Sequence, residues 1–83
     1  MAAVTIYTTM YCPYCHAAKD LLTEKGVAFT EVDVTRDPSE RVRLAERTGQ
    51  RTVPQIFIDE RSIGGYDELA GLERRGELDA LLG

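Results

Sequence analysis

The chain has 83 residues, of which 43% are hydrophobic and 29% are charged, and its formal net charge is −4. A chain of this length and composition folds around one small core, which excludes a multidomain machine, a disordered chain and a membrane-spanning protein. The acidic balance argues against nucleic acid or an anionic lipid surface as the main partner. We therefore expect a single soluble domain over residues 1–83.

The first half of the chain alternates between strand-like and helical patterns. The β-branched run Val4–Thr8 predicts a buried strand, and apolar residues at helical spacing from Tyr14 to Leu22 predict a helix. Pro13 is suited to the first turn of this helix and Gly26 to its end. A second alternating stretch, Val27–Val34, predicts the next strand.

The second half predicts a helix, a β-hairpin and two more helical segments. Asp37, followed by Pro38 and Glu40, is typical of a helix start, and Gly49 marks the helix end. The remaining predicted elements are the strands Gln55–Ile58 and Arg61–Ile63, a helix capped by Asp67, and a last turn over Leu78–Leu82. The order βαβαββα predicts a thioredoxin-like α/β fold with a four-stranded mixed sheet and helices on both faces.

Two cysteines, Cys12 and Cys15, stand where the first strand passes into the first helix. Unpaired N–H groups and the helix dipole favour a thiolate at a helix N-terminus, so we expect Cys12 to be acidic and exposed. Cys15 lies deeper in the first turn, where it is placed to attack a disulfide formed at Cys12. The pair is expected to be a redox-active dithiol, with Tyr14 pointing outward beside it.

Metal binding is the competing use of a paired-cysteine motif. A structural zinc ion needs four Cys or His ligands, and this chain supplies only Cys12, Cys15 and His16. Adjacent helical residues diverge by roughly 100°, which makes Cys15 and His16 poor co-ligands. We expect no metal at this site.

Two further segments are candidates for binding. Thr52-Val53-Pro54 precedes the third strand, where a proline marks an edge, a bend or a cis bond. Five arginines and three acidic residues between Arg36 and Arg51 give that segment a net charge of +2. Such a segment serves either as a docking site for a small anion or as a solvated helix face.

With these residues located, the chain resembles a small bacterial dithiol glutaredoxin. The resemblance covers almost the whole chain through IYTxxxCPYCHxAK (Ile6–Lys19), TVPQIFI (Thr52–Ile58) and IGGYDEL (Ile63–Leu69). It implies a thioredoxin fold and glutathione-dependent reduction of protein disulfides and of glutathione mixed disulfides. Glutathione is then a cosubstrate, and no cofactor is bound permanently.

The resemblance also implies roles for individual residues. Cys12 is the nucleophile and Cys15 the resolving cysteine, while Pro54 is a cis-proline opposite Cys12. The residues implied to bind glutathione are Tyr14, Arg41, Thr52, Val53, Pro54 and Asp67. Among them, Arg41 is the candidate for the glycine carboxylate, with Arg51 as a second.

Two positions depart from the family pattern. Many relatives carry Lys three residues before the first cysteine, whereas this chain has Thr9, so stabilisation of the thiolate must rest more on the helix end. Relatives often have a further cysteine after the paired glycines, where this chain has Tyr66. No third thiol is available for side disulfides.

Two other functions are alternatives. One is a carrier in which Cys12 and glutathione from two chains hold a [2Fe–2S] cluster, which the Cys-Pro-Tyr-Cys sequence disfavours. The other is a docking module that uses the Arg36–Arg51 segment and needs neither thiol. The first ten residues contain no Lys or Arg and no long apolar run, so we expect no signal peptide and a cytoplasmic protein. We also expect the protein to be a monomer.

Overall fold

Four strands and four helices make up residues 2–83, which are the residues described by the computed structural model. They are β1 (Val4–Thr8), α1 (Pro13–Glu24), β2 (Thr30–Asp33), α2 (Pro38–Thr48), β3 (Gln55–Ile58), β4 (Arg61–Gly64), α3 (Tyr66–Arg74) and α4 (Leu78–Leu82). The predicted order is confirmed, with the last turn forming the short helix α4. No helix within residues 2–83 has the length and apolar character needed to cross a membrane.

The strands form one mixed sheet in the order β2-β1-β3-β4. Strands β1 and β2 run parallel, while the β1/β3 and β3/β4 pairs are antiparallel, with Tyr7 opposite Gln55. The antiparallel pairing places the end of β1 beside the start of β3. The loop that follows β1, which contains Cys12, therefore lies next to the loop that precedes β3.

Helices cover both faces of this sheet, as predicted. On one face the core consists of Val4, Ile6, Ala18, Leu22, Ile56, Ile58, Leu69 and Leu78, contributed by β1, β3, α1, α3 and α4. On the opposite face Tyr7 and Phe57 meet edge to face, with ring centroids 5.7 Å apart, and Arg47 of α2 lies 4.4 Å from the Phe57 ring centre. Alternation along β1 and β3 thus separates the two layers.

Strand β2 (Thr30–Asp33) is shorter than the predicted Val27–Val34, because the residues before Thr30 end helix α1 and pack against the core instead of pairing with β1. The N–H of Val27 donates to the Leu22 carbonyl at 2.9 Å and so closes the end of α1. Phe29 packs against the core without pairing to a strand. The alternation of apolar and polar residues over 27–29 therefore reflects burial of side chains against the core and not pairing with a strand.

Helix α3 starts at Tyr66 with Gly65 as its N-cap, so the prediction that Asp67 is the cap was wrong. Gly64 has a φ of 115°, and a Cβ atom there would lie 2.6 Å from the Glu68 carboxylate. That carboxylate accepts a hydrogen bond of 2.8 Å from the N–H of Gly65. The glycine pair makes the turn from β4 into α3, and Asp67 falls in the first helical turn.

A polar cluster joins three elements beneath the Cys12 loop. The Glu31 carboxylate on β2 accepts hydrogen bonds from the Thr8 hydroxyl at 2.7 Å and from the Lys19 ammonium at 3.0 Å. The Thr8 hydroxyl, and after it Lys19, hold the pKa of Glu31 below its ordinary value. The ionised carboxylate on β2 therefore ties α1 to the carboxyl end of β1.

Candidate active site

Cys12 is the N-cap residue of α1. Its backbone is extended, with φ −119° and ψ 104°, and its Sγ accepts a hydrogen bond of 3.2 Å from the N–H of Cys15. The sulfur thus occupies the position that a Ser or Asp oxygen takes at other helix starts. Both this N–H and the positive end of the helix dipole stabilise a thiolate there.

The expectation that Cys12 is exposed was wrong, because only 8% of the residue is accessible. The reason is the loop before β3, whose Val53 carbonyl oxygen lies 3.5 Å from Cys12 Sγ. That oxygen accepts a hydrogen bond when the thiol is protonated. The loop before β3 therefore covers one side of the Cys12 sulfur.

Cys15 is a buried thiol one turn into the helix, with 1% of its surface exposed. Burial, and after it the hydrogen bond with the Cys12 side chain, raises the pKa of Cys15 to about 12. The Thr9 main chain and the Lys19 charge act in the opposite direction. Cys15 therefore keeps its proton at neutral pH, although neither cysteine is in a disulfide.

A groove of about 270 Å³ is lined by Tyr14, Gln50, Thr52, Val53, Pro54, Gly65, Tyr66, Asp67 and Glu68. Five of the six residues expected to bind glutathione are in this set, which unites the start of α1, the loop before β3 and the start of α3. The sixth, Arg41, does not line this groove. Tyr14 is 63% exposed, as predicted, and its ring centre lies 6.2 Å from that of Tyr66.

The loop before β3 contains a cis peptide bond between Val53 and Pro54, as the resemblance implied. Pro54 is buried, and its carbonyl oxygen would lie 3.4 Å from a Cβ atom placed on Gly65. The start of α3 therefore lies close against this loop. Val53 is partly exposed and presents its main chain between Cys12 and the groove.

Sequence reasoning missed three side chains of the groove, which are Gln50, Tyr66 and Glu68. Glu68 entered the sequence analysis only as part of the IGGYDEL motif. Gln50 follows the glycine that ends α2, and nothing in its sequence context marks it as part of a site. Tyr66 was noted only as the replacement of a cysteine, although its position after the paired glycines placed it at the start of a helix. The paired glycines were the available signal for Tyr66, and Gln50 gave none.

Arg41 and Arg51 line a neighbouring depression of about 600 Å³, together with Val42, Ala45, Glu46 and Gly49. The arginines between residues 36 and 51 are not equivalent. Arg43 forms an ion pair with Glu40 at 2.6 Å. Arg47 donates a hydrogen bond to the Tyr7 hydroxyl and stacks its guanidinium over the Phe57 ring. Within residues 2–83, Arg41 and Arg51 form no ion pair, so their charges are directed to solvent.

Comparisons with known proteins agree with this geometry. The glutaredoxin family model matches residues 4–63. Glutaredoxin 3 of Escherichia coli (strain K12) is 52% identical over 82 residues, which is 99% of this chain and 99% of that protein. The glutaredoxin of Pseudomonas aeruginosa is 54% identical over 82 residues, covering 99% of this chain and 98% of that one. The chain belongs to the glutaredoxin family.

Solved structures of glutaredoxins have the same fold. A crystal structure of a buckwheat glutaredoxin–glutathione complex aligns with a TM-score of 0.92 and 30% identity, covering 98% of this chain and 76% of that one. The solution structure of glutaredoxin from Brucella melitensis aligns with a TM-score of 0.89 and 49% identity, covering 99% of this chain and 89% of that one. The predicted thioredoxin-like fold is confirmed.

The activity follows from the family and from the paired cysteines. This glutaredoxin is a glutathione-dependent thiol–disulfide oxidoreductase. Nothing in the comparisons favours the iron–sulfur carrier. Among residues 2–83, no group of three or more His, Cys, Asp or Glu side chains is arranged to hold a metal ion.

The difference between the two thiols predicts a difference in alkylation. Because the thiolate is the reactive form, the raised pKa of Cys15 leaves little of this thiol reactive at pH 8. Iodoacetamide at pH 7 to 8 is expected to label Cys12 first, and Cys15 is expected to be labelled more slowly because it is buried and its pKa is raised. Peptide mapping by mass spectrometry measures both sites.

The urea-unfolded protein is the control for this experiment, since its two cysteines should react at similar rates. Labelling of Cys15 as fast as Cys12 in the folded protein at pH 8 would contradict the assignment.

Proposed function

We propose that Cys12 is the nucleophile and Cys15 the resolving thiol in the reduction of protein disulfides and of mixed disulfides between proteins and glutathione. The observation that carries this proposal is the position of Cys12 Sγ. It caps α1, accepts the N–H of Cys15 at 3.2 Å and lies 3.5 Å from the Val53 carbonyl at the edge of the groove. One sulfur thus combines a stabilised negative charge with access to a binding site.

For a glutathionylated protein, the reaction needs only Cys12. Its thiolate attacks the glutathione sulfur, a bond forms between Cys12 and glutathione, and the protein leaves as a thiolate that takes a proton from water. A second glutathione thiolate then attacks the glutathione sulfur bound to Cys12. This step releases oxidised glutathione and restores the Cys12 thiolate.

For a protein disulfide, the reaction needs both cysteines. The Cys12 thiolate attacks one sulfur of the substrate and forms a mixed disulfide, and the other substrate sulfur leaves as a thiolate that takes a proton from water. Cys15 then gives its proton to water and attacks Cys12 Sγ, which forms a Cys12–Cys15 disulfide, and the second substrate sulfur leaves as a thiolate that takes a proton from water. Two glutathione molecules reduce that disulfide and become oxidised glutathione.

The Cys15 proton is held partly by Cys12 itself. Hydrogen bonding and the charge of Cys12 both contribute to the raised pKa of Cys15, after burial. Once Cys12 is part of a mixed disulfide it has no negative charge, so both contributions disappear. Cys15 therefore becomes easier to deprotonate at the stage at which it must attack.

The groove is proposed as the binding site for glutathione. In this arrangement the main chain of Val53 pairs, strand-like, with the cysteine residue of glutathione, and Tyr14 and Thr52 flank it. The γ-glutamyl end of glutathione lies at the start of α3. There the Asp67 carboxylate pairs with the glutathione amine, and main-chain N–H groups donate hydrogen bonds to the γ-glutamyl carboxylate. What supports this is that Tyr14, Thr52, Val53, Pro54 and Asp67 line one groove.

The glycine carboxylate of glutathione is proposed to lie toward Arg41, with Arg51 as a second cation. Both residues line the adjacent depression and are exposed. Arg51 directly precedes Thr52 in the chain, so the depression and the groove are joined there. The two arginines give a carboxylate a positive partner in this direction.

The domain organisation, oligomeric state, location and partners of the protein complete the proposal. We propose that residues 1–83 act as one domain and as a monomer in the cytoplasm, with no permanently bound cofactor. Glutathione is the small-molecule partner, and disulfide-containing or glutathionylated proteins are the macromolecular ones. A cytoplasmic thiol pool would keep Cys12 and Cys15 reduced.

The division of roles predicts opposite outcomes for two serine variants. Cys12→Ser is expected to lose all thiol exchange, because the nucleophile is absent. Cys15→Ser is expected to keep removal of glutathione from a glutathionylated peptide and to lose reduction of a protein disulfide. Coupled assays with glutathione reductase and NADPH measure both activities, and equal loss in both variants would contradict the roles.

The proposed carboxylate contact predicts a selective effect at Arg41. An exposed charge pair contributes roughly 0.2 to 1 kcal/mol, so Arg41→Glu is expected to raise the KM for a small glutathione mixed disulfide about 1.4- to 5-fold. Because the contact is remote from the reacting sulfurs, kcat should change less.

Arg74→Glu is the matched control, because it makes the same change in net charge on an exposed residue near the C-terminal end of α3. An unchanged KM for Arg41→Glu at low and moderate salt would return Arg41 to the role of a solvated surface residue.

A further inference from the structure

Gln55 is a fully buried amide in a strand that is otherwise apolar. It is the first residue of β3, with an exposed fraction of 0%, and Ile56, Phe57 and Ile58 follow it. Its Oε1 atom has no hydrogen-bond partner within the part of the chain that the structure describes. Burying an unpaired amide oxygen opposes folding, so an apolar residue of similar shape would suit the core better.

The nitrogen of the same amide, in contrast, has hydrogen-bond partners for both of its hydrogens. Gln55 Nε2 donates to Gln50 Oε1 at 3.0 Å and to the Thr52 carbonyl oxygen at 3.0 Å, and it lies 3.4 Å from the Thr52 hydroxyl. Gln50 and Thr52 both line the groove, whereas Gln55 lies behind it. The buried side chain therefore reaches the groove only through these two residues.

The loop that carries them has little other support. Outside the helices and strands of residues 2–83, no hydrogen bond between main-chain groups involves residues 50–53. The Thr48 side chain contacts the N–H and the carbonyl of Gln50, each at 3.1 Å, and Cys12 Sγ meets the Val53 carbonyl at 3.5 Å. Gln55 supplies the contact between this loop and the sheet.

We infer that Gln55 is a positioning residue, which holds the loop over residues 50–53 in the conformation that receives glutathione. The inference rests on the proposed function, in which Thr52 and the Val53 main chain form part of the binding site. A loop that is fixed before binding does not lose its freedom on binding, and this lowers the cost of forming the complex. Gln55 thus favours glutathione affinity at the expense of core stability.

A positioning role for Gln55 predicts an effect on the affinity for glutathione and not on the rate of sulfur exchange at Cys12. The reactivity of Cys12 depends on the N-terminus of α1, to which Gln55 makes no hydrogen bond. Loss of the Gln55 amide should therefore weaken binding of the glutathione moiety and leave the sulfur exchange step largely unchanged.

The test is the Gln55→Met variant, which keeps the side-chain length and removes both polar atoms. With the mixed disulfide of glutathione and 2-mercaptoethanol as substrate, its KM is expected to rise about three- to tenfold, as ordering one or two side chains on binding would require. Its kcat is expected to stay within about twofold. Its melting temperature should not fall, because the unpaired Oε1 is removed along with the amide.

Phe57→Leu is the matched control, a substitution on the same strand and the same sheet face, away from the loop. It should lower the melting temperature and leave KM unchanged. An unchanged KM in Gln55→Met, or a rise in KM that Phe57→Leu reproduces, would overturn the inference. Absence of Cys12-dependent turnover in the wild type would instead refute the proposed function.

A second measurement does not depend on the folding of a variant. In the free wild-type protein, backbone ¹⁵N order parameters for residues 50–53 should be about 0.85, the value of rigid backbone. Values below about 0.6 would show that Gln55 does not hold the loop and would overturn the inference.

Discussion

The antiparallel pairing of β1 with β3 is the constraint on which the site depends. It brings the end of one strand beside the start of the other, with Tyr7 opposite Gln55. The helix that follows β1 then begins beside the loop that precedes β3. Cys12, as the N-cap of that helix, consequently lies 3.5 Å from the Val53 carbonyl. Sheet topology thus brings the sulfur proposed as the nucleophile beside the groove proposed to bind glutathione, although Cys12 and Val53 are 41 residues apart in sequence.

The same arrangement gives two chemically similar side chains different surroundings. Cys12 accepts an N–H at the end of a helix, where a negative charge is stabilised. Cys15 is three residues further on, buried, and has a pKa raised to about 12. The first turn of α1 thus places the sulfur proposed to attack at a helix N-terminus and the sulfur proposed to resolve in a buried position where it retains its proton.

Much of this could be predicted from the sequence, because the signals are local. Alternation and helical spacing gave the element order, and Asp37 and Gly49 correctly marked the ends of α2.

The errors of the sequence analysis arose where the decisive contact joins residues that are distant in the sequence. Cys12 was expected to be exposed, but residues 52–54 cover it after the sheet has formed. Asp67 was expected to cap α3, but the glycine pair and Glu68 do so. Gln50 joins the groove through the buried amide of Gln55, a contact between side chains that no periodicity reveals.

The most direct test of the central claim, that one groove beside Cys12 receives glutathione, is a crystal structure of the Cys15→Ser variant trapped as its mixed disulfide with glutathione. The account predicts that the glutathione cysteine pairs with the Val53 main chain, that its γ-glutamyl end lies at Asp67, and that its glycine points toward Arg41. Glutathione bound on the opposite side of Cys12, against Met10 and the segment 33–37, with no contact to Val53 or Asp67, would contradict it.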